Sequence, residues 1–127
     1  MRRITLLFCL LTVTSIAQQD SVIYIDADSL NKGDSYIGIG LPLSVGWKYH
    51  KGDDIQWSKS DFNDSSWQYL SPILDLSELP ENVFSKIGWF RLHIIVDTAL
   101  IDKNLGLLIS QLGASEIYLD GKLLHSF

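Results

Sequence analysis

The residues best suited to chemistry lie in one polar stretch, residues 53–67, which reads DDIQWSKSDFNDSSW. Its four aspartates, Asp53, Asp54, Asp61 and Asp64, lie within twelve positions. A carboxylate pair can act as general acid and base, but this requires one raised pKa in an apolar pocket. Clustered Asp, Asn and Ser are instead typical of turns. The stretch therefore favours a solvated loop, and we expect no catalytic residue in this chain.

Metal chemistry receives little support from the spacing of potential ligands. Asp61, Asn63 and Ser65 match the first alternate ligands of an EF-hand, but Ser66 replaces the glycine and Pro72 the final glutamate. No zinc spacing is formed by the histidines, which are His50, His93 and His125. We expect no metal site and no cofactor, although a structural calcium ion stays open.

Large aromatic residues alternate with the acids of this stretch. Trp57 and Trp67 lie inside it, Trp47 precedes it, and Trp89 follows. Indole rings are costly to leave in water, so the loop should be a surface crossover whose rings enter a core. An exposed ring could alternatively stack on a sugar.

The N-terminus has the form of a secretory signal peptide. Arg2 and Arg3 precede a mostly apolar run, residues 4–16, and a small-x-small site predicts cleavage between Ala17 and Gln18. The run is shorter than the roughly 20 residues that a membrane span needs. We therefore expect export to the periplasm or another extracytoplasmic space, and no membrane span in this chain.

Charge excludes two classes of partner. The chain has a net charge of −5, and removing Arg2 and Arg3 leaves 8 basic and 15 acidic residues, or −7. Nucleic acids and anionic membranes need clustered Lys and Arg, so we expect neither as a partner. Cys9, the only cysteine, leaves with the signal, so the mature domain must be stabilised by packing.

The pattern beyond residue 20 is one of strands and turns, with no sustained helical period. An Asp-Gly pair between the last two strands is a strong hairpin signal. An irregular connection is expected over residues 31–42 and a loop over 75–83. The predicted strands are residues 21–28, 45–50, 67–70, 88–97, 105–112, 115–119 and 122–127.

These strands predict an all-β, antiparallel β-sandwich. The chain ends inside a predicted strand at Phe127, where an apolar edge would lack a partner. We therefore expect an incomplete domain, truncated at its C-terminus, that forms the N-terminal part of a longer protein.

Five motifs occur in one order, and they are Trp47 with Gly52-Asp53, Trp57, residues 61–67 (DFNDSSW), residues 88–91 (GWFR) and residues 117–122 (IYLDGK). Together they resemble the galactose-binding-like jelly-roll domain. That domain opens β-galactosidase-type glycoside hydrolases and is similar to extracytoplasmic domains of bacterial seven-transmembrane sensor kinases and cyclases. Asn63 and Asp120 depart mildly from its pattern, and its closing strands are missing. The resemblance implies a structural role for the matched residues, which are Trp47, Gly52, Asp53, Trp57, Asp61, Phe62, Asp64, Trp67, Gly88, Trp89, Arg91, Asp120 and Gly121.

The resulting organisation is a signal peptide at 1–17, an N-terminal strand and connection at 18–44, and the incomplete sandwich at 45–127. The resemblance implies a non-catalytic sensing or binding domain, with a carbohydrate or other small ligand, linked to a downstream signalling domain. The alternative is an accessory domain of a secreted glycoside hydrolase, and a third interpretation is a purely structural sandwich. The ligand-binding residues are not predicted.

Overall fold

The computed structural model describes residues 22–31, 40–73, 87–110 and 113–127. Within these ranges the fold is β-rich, and the strands form three small sheets. One short helix, α1 (Ala27–Asn31), and two 3₁₀ helices, Ile55–Ser58 and Thr98–Leu100, accompany them. The strands are β1 (Val22–Ile25), β2 (Lys48–Lys51), β3 (Gln68–Tyr69), β4 (Gly88–Arg91), β5 (His93–Val96), β6 (Glu116–Leu119) and β7 (Lys122–Ser126).

The central sheet has the order β3-β2-β4 and is antiparallel. Side chains alternate across it, as a pleated strand requires. On one face, Phe90 contacts Trp47 and Tyr49 with ring centroids 6.4 and 5.0 Å away. Lys48 lies directly opposite Arg91 on the other face. Trp47 and Tyr49 therefore share the face of the sheet opposite Lys48.

Strand β2 begins later than predicted, at Lys48 instead of residue 45. The chain bends at Val45 and Gly46, and Gly46 has φ of +80°, a left-handed conformation outside the strand region. The pairing of β2 with β4 therefore stops at Lys48 and Arg91.

The single strand predicted over residues 88–97 is therefore two strands separated by Leu92. Strand β4 pairs with β2 in antiparallel fashion, whereas β5 pairs with β1 in parallel, with Val22 opposite His93. The expectation of a purely antiparallel arrangement is wrong for this pair. Arg91 lies opposite the first residue of β2, Lys48, and the residues after it in β5 pair with the N-terminal strand instead.

Helix α1 replaces the end of the strand predicted over residues 21–28. Asp26 Oδ1 accepts a hydrogen bond from the Ser29 amide at 2.7 Å, and Ser29 Oγ accepts one from the Asp26 amide at 3.0 Å. These reciprocal bonds are those of a capping box, which satisfies amides that an emerging helix leaves unpaired. The strand prediction is therefore wrong for residues 27–28, which begin this five-residue helix.

The strand predicted over residues 105–112 is wrong for its described part, since residues 104–110 form no regular element. Leu107 and Leu108 are 58% and 77% exposed. A continuous apolar run without alternation does not distinguish element types, which explains the error. Before this run, the chain forms the 3₁₀ helix Thr98–Leu100, whose first turn is capped by the Asp97 carboxylate.

The C-terminal hairpin agrees with its prediction. Strands β6 and β7 pair in antiparallel fashion across Asp120 and Gly121, with one irregularity between Ile117 and Tyr118. The φ angles of Asp120 and Gly121 are +47° and +82°. Both are positive, as the two-residue turn predicted from Asp-Gly requires.

The buried residues concentrate around β2 and the segment that follows it. Tyr49, Trp67 and Leu100 are the buried apolar residues of the described ranges, and Lys48 and Asp64 are the buried charged ones. The predicted signal peptide with Ala17 and Gln18, most of the connection at 31–42 and the loop at 75–83 lie outside the described residues.

Candidate functional site

The acidic and aromatic stretch, residues 53–67, connects β2 to β3, and we call it the crossover. Its folding begins locally, because Asp54 Oδ1 accepts a hydrogen bond from the Gln56 amide at 2.9 Å and caps the 3₁₀ helix Ile55–Ser58. Asn63 Oδ1 accepts another from the Ser65 amide at 3.0 Å. These bonds make the two turns that bring Asp64 and Trp67 inward.

Asp64 is the buried carboxylate of the described residues, with 4% of its surface exposed. Its Oδ1 accepts a hydrogen bond from Lys48 Nζ at 2.9 Å. Its Oδ2 accepts one from Arg91 Nε at 2.9 Å and lies 2.7 Å from His93 Nε2. Strands β2, β4 and β5 each supply one of these groups, so one carboxylate of the crossover joins two of the sheets. We call these four residues the Asp64 cluster.

The electrostatics of the cluster keep Asp64 ionised. Burial raises the pKa of its carboxyl, but hydrogen bonds from Lys48, His93 and Arg91 outweigh burial and lower the pKa from 3.8 to about 2. A general acid needs the opposite shift, towards neutral pH. The arrangement is that of a buried ion network, in which the carboxylate compensates basic side chains that would otherwise repel one another.

Arg91 is the residue that joins the charges to the aromatic rings. Besides Asp64, its guanidinium donates from Nη1 to the backbone carbonyl oxygen of Trp57. Its central carbon lies 5.5 Å from the ring centroid of Phe62 and 6.0 Å from that of Trp67. Arg91 thus both meets an aspartate and stacks on an indole.

The rings of the crossover pack against one another on the sheet. Trp57 and Trp67 meet edge to face with centroids 5.3 Å apart, and Phe62 lies 5.8 Å from Trp67. The imidazole of His50, on β2, lies 4.8 Å from Trp57 and 5.2 Å from Trp67. The prediction that indole rings hold the crossover in the core is confirmed for Trp67, which is 6% exposed.

Gly52 and Gly88 make room for rings. Gly52 has φ of +122°, and a Cβ there would lie 3.1 Å from the Trp57 ring. A Cβ at Gly88 would lie 2.5 Å from the Tyr49 ring, closer than real atoms approach. Close packing therefore explains these two of the three glycines in the sequence pattern.

The remaining pattern residues lie outside the Asp64 cluster. Trp47 is on the opposite face of the sheet and donates from Nε1 to the Leu43 carbonyl oxygen at 2.7 Å. Trp89 donates from Nε1 to Asp53 Oδ1 at 3.1 Å. Asp61 is exposed on the crossover, and Asp120 and Gly121 form the hairpin turn.

Lys48 and His93 belong to the cluster but are absent from the set predicted from sequence. Lys48 and Arg91 are direct neighbours across β2 and β4. Like charges in that position destabilise a sheet unless a carboxylate lies between them. The need for a carboxylate beside Lys48 and Arg91 can therefore be recognised only once the strand register is known, since the two residues are far apart in the chain.

No group of three or more His, Cys, Asp or Glu side chains is placed to hold a metal ion within the described residues. Among those residues, no helix is both long and apolar enough to span a bilayer.

Comparison with known proteins identifies no relative. No protein-family model, curated protein or solved structure matches the chain. The function is therefore argued from the residues and their geometry.

Proposed function

We propose that the chain is a non-catalytic, extracytoplasmic ligand-binding or sensing domain of the galactose-binding-like jelly-roll class, joined to a downstream domain of a bacterial membrane signalling protein. The observation that carries this proposal is the Asp64 cluster, in which Arg91 contacts both the buried carboxylate and the aromatic rings of the crossover. The order of the five sequence motifs supports the domain class, and the leader-like N-terminus supports export.

The chemistry of the crossover argues for binding over catalysis. Asp64 accepts three contacts, and its lowered pKa leaves it unable to donate a proton near neutral pH. Arg91 donates hydrogen bonds to the Asp64 carboxylate and to the Trp57 carbonyl oxygen. Groups held in this manner position the crossover, which supports a structural role for them over a role in turnover.

A carbohydrate is the ligand class that the rim of the crossover suits. Trp89 is half-buried, and its indole N–H contacts the exposed carboxylate of Asp53. A ring that offers an apolar face beside a hydrogen-bond acceptor can stack on a pyranose and bind its hydroxyl groups.

Titration with sugars tests the ligand class. Tryptophan fluorescence of the folded chain should change saturably with at least one member of a panel of mono- and oligosaccharides. Circular dichroism of the same sample verifies folding, and glycerol at equal viscosity controls for viscosity and refractive index. A flat response from a folded sample across the panel would contradict carbohydrate recognition.

An activity assay tests the absence of catalysis separately. The chain should hydrolyse aryl glycosides no faster than buffer. Turnover that disappears in Asp64→Asn but persists in the exposed crossover control Asp61→Asn would overturn the non-catalytic assignment.

A further inference from the structure

Outside the Asp64 cluster, one aromatic surface joins the crossover to the hairpin. Trp89, on β4, and Tyr118, on β6, stack with ring centroids 5.3 Å apart and planes 26° apart. Both rings are half-buried. We call these rings and the two carboxylates beside them, Asp53 and Glu116, the Trp89–Tyr118 surface.

Each ring of this surface is bonded to an exposed carboxylate. Trp89 Nε1 donates to Asp53 Oδ1 at 3.1 Å, and the Tyr118 hydroxyl donates to Glu116 Oε2 at 2.6 Å. Each carboxylate uses one oxygen in these contacts, and among the described residues the second oxygen of each has no partner. Within the same ranges, neither Asp53 nor Glu116 forms an ion pair with a basic residue.

Both carboxylates act on the same ring. The hydrogen bond to Glu116 raises the pKa of the Tyr118 phenol, followed by burial and by the negative charges of Glu116 and Asp53. The faces of the two aromatic rings carry negative electrostatic potential of their own. The carboxylates and the ring faces are all negative and therefore favour a positively charged ligand.

We propose that the Trp89–Tyr118 surface binds an organic ammonium group, with the cation against the aromatic pair and between Asp53 and Glu116. A neutral sugar would gain stacking and hydrogen bonds to the carboxylates, whereas an ammonium group gains stacking and two charge interactions. A bare divalent metal ion fits less well, because aromatic rings supply none of the oxygen ligands that it needs.

This inference rests on the proposed function only in making the chain a binding module, and the two can fail separately. A saccharide that carries an amine satisfies both. The sugar titration tests carbohydrate recognition whatever happens at this surface, and a permanently charged probe without a sugar ring tests this surface alone.

Choline and its uncharged carbon isostere, neohexyl alcohol, form a matched pair for the test. The indole N–H resonance of Trp89 should shift saturably with choline, and choline should bind about tenfold more tightly than the alcohol, given one cation–π contact and two exposed charge contacts. Equal affinities, or no shift of the Trp89 resonance, would overturn the proposal.

Charge-removing variants show whether choline binds at this surface. Asp53→Asn and Glu116→Gln keep the acceptor oxygen for Trp89 and Tyr118 but remove the charge, and each should weaken choline binding several-fold. Asp28→Asn, on the exposed side of α1, is the matched charge control and should leave the affinity unchanged. Equal losses in all three variants would show a long-range charge effect and overturn the site.

Discussion

Asp64 links the crossover to three strands. It lies on a loop, yet it receives Lys48 from β2, Arg91 from β4 and His93 from β5. Removing one member of a buried ion network costs more than the network contributes as a whole, because the remaining charges lose their compensation. The consequences of changing single residues should therefore differ sharply between Asp64 and the exposed acids around it.

Acid should remove the contribution of Asp64. Its pKa lies at about 2 instead of 3.8. Since the folded value is the lower one, the stabilisation is present above about pH 4 and is lost as the pH falls towards about 2. The free energy of unfolding involved is roughly 2 kcal/mol. A carboxyl-carbon NMR titration should show Asp64 protonating below the ordinary aspartate range, and titration within that range would contradict the ion network.

Trp67 should matter to folding more than to binding. Its ring is buried against Trp57, Phe62 and His50, and Trp67→Ala should lower the free energy of unfolding by about 3 kcal/mol. Ile55→Ala, at a 54% exposed position of the same crossover, is the control and should change it little. Urea unfolding followed by circular dichroism provides the comparison. An unchanged midpoint for Trp67→Ala would show that the ring is not part of the core.

Among the elements, the hairpin depends on its turn. Gly121 has φ of +82°, and a Cβ there would lie 3.9 Å from the Lys59 Cα, so the cost of Gly121→Ala is conformational and not steric. We expect a loss of about 1 kcal/mol. Gly106→Ala, where nothing lies within 4 Å and φ is not positive, should be neutral or slightly stabilising. Thermal unfolding of both variants tests this difference, and equal effects would contradict it.

Elements that depend on neighbouring residues were predictable from the sequence. The hairpin follows from Asp120 and Gly121, and the polar turns of the crossover follow from its Asp, Asn and Ser residues. The division of the 88–97 strand was not predictable, because it depends on where β2 ends and on the parallel pairing with β1. Helix α1 could have been found from Asp26 and Ser29, whose spacing allows reciprocal capping.

The candidate site was predictable only where it depends on residue types. A carboxylate or indole partner for Arg91 could be expected, because acidic residues and tryptophans are both frequent in the crossover. The choice of Asp64 over Asp61, and the inclusion of Lys48 and His93, required the register that places Lys48 opposite Arg91. Such information is non-local and is absent from the spacing of residues.

At the scale of the whole molecule, stability should be uneven. Strand β2 is the middle strand of its sheet and contains the buried residues Lys48 and Tyr49, whereas every residue of β7 is exposed. Amide hydrogen exchange should therefore be slowest in β2 and much faster in β7. Equal protection of the two strands would show that they open in one cooperative unit.

The central claim is that the crossover is a structural element held to the sheets through Asp64. The most direct measurement compares the free energies of unfolding of Asp64→Asn and Asp61→Asn, two identical chemical changes in one loop. We predict a loss of about 3 kcal/mol for the buried Asp64, whose removal leaves basic groups uncompensated. For the exposed Asp61 we predict a change within about 0.5 kcal/mol. Equal losses, or a fully stable Asp64→Asn variant, would contradict the claim.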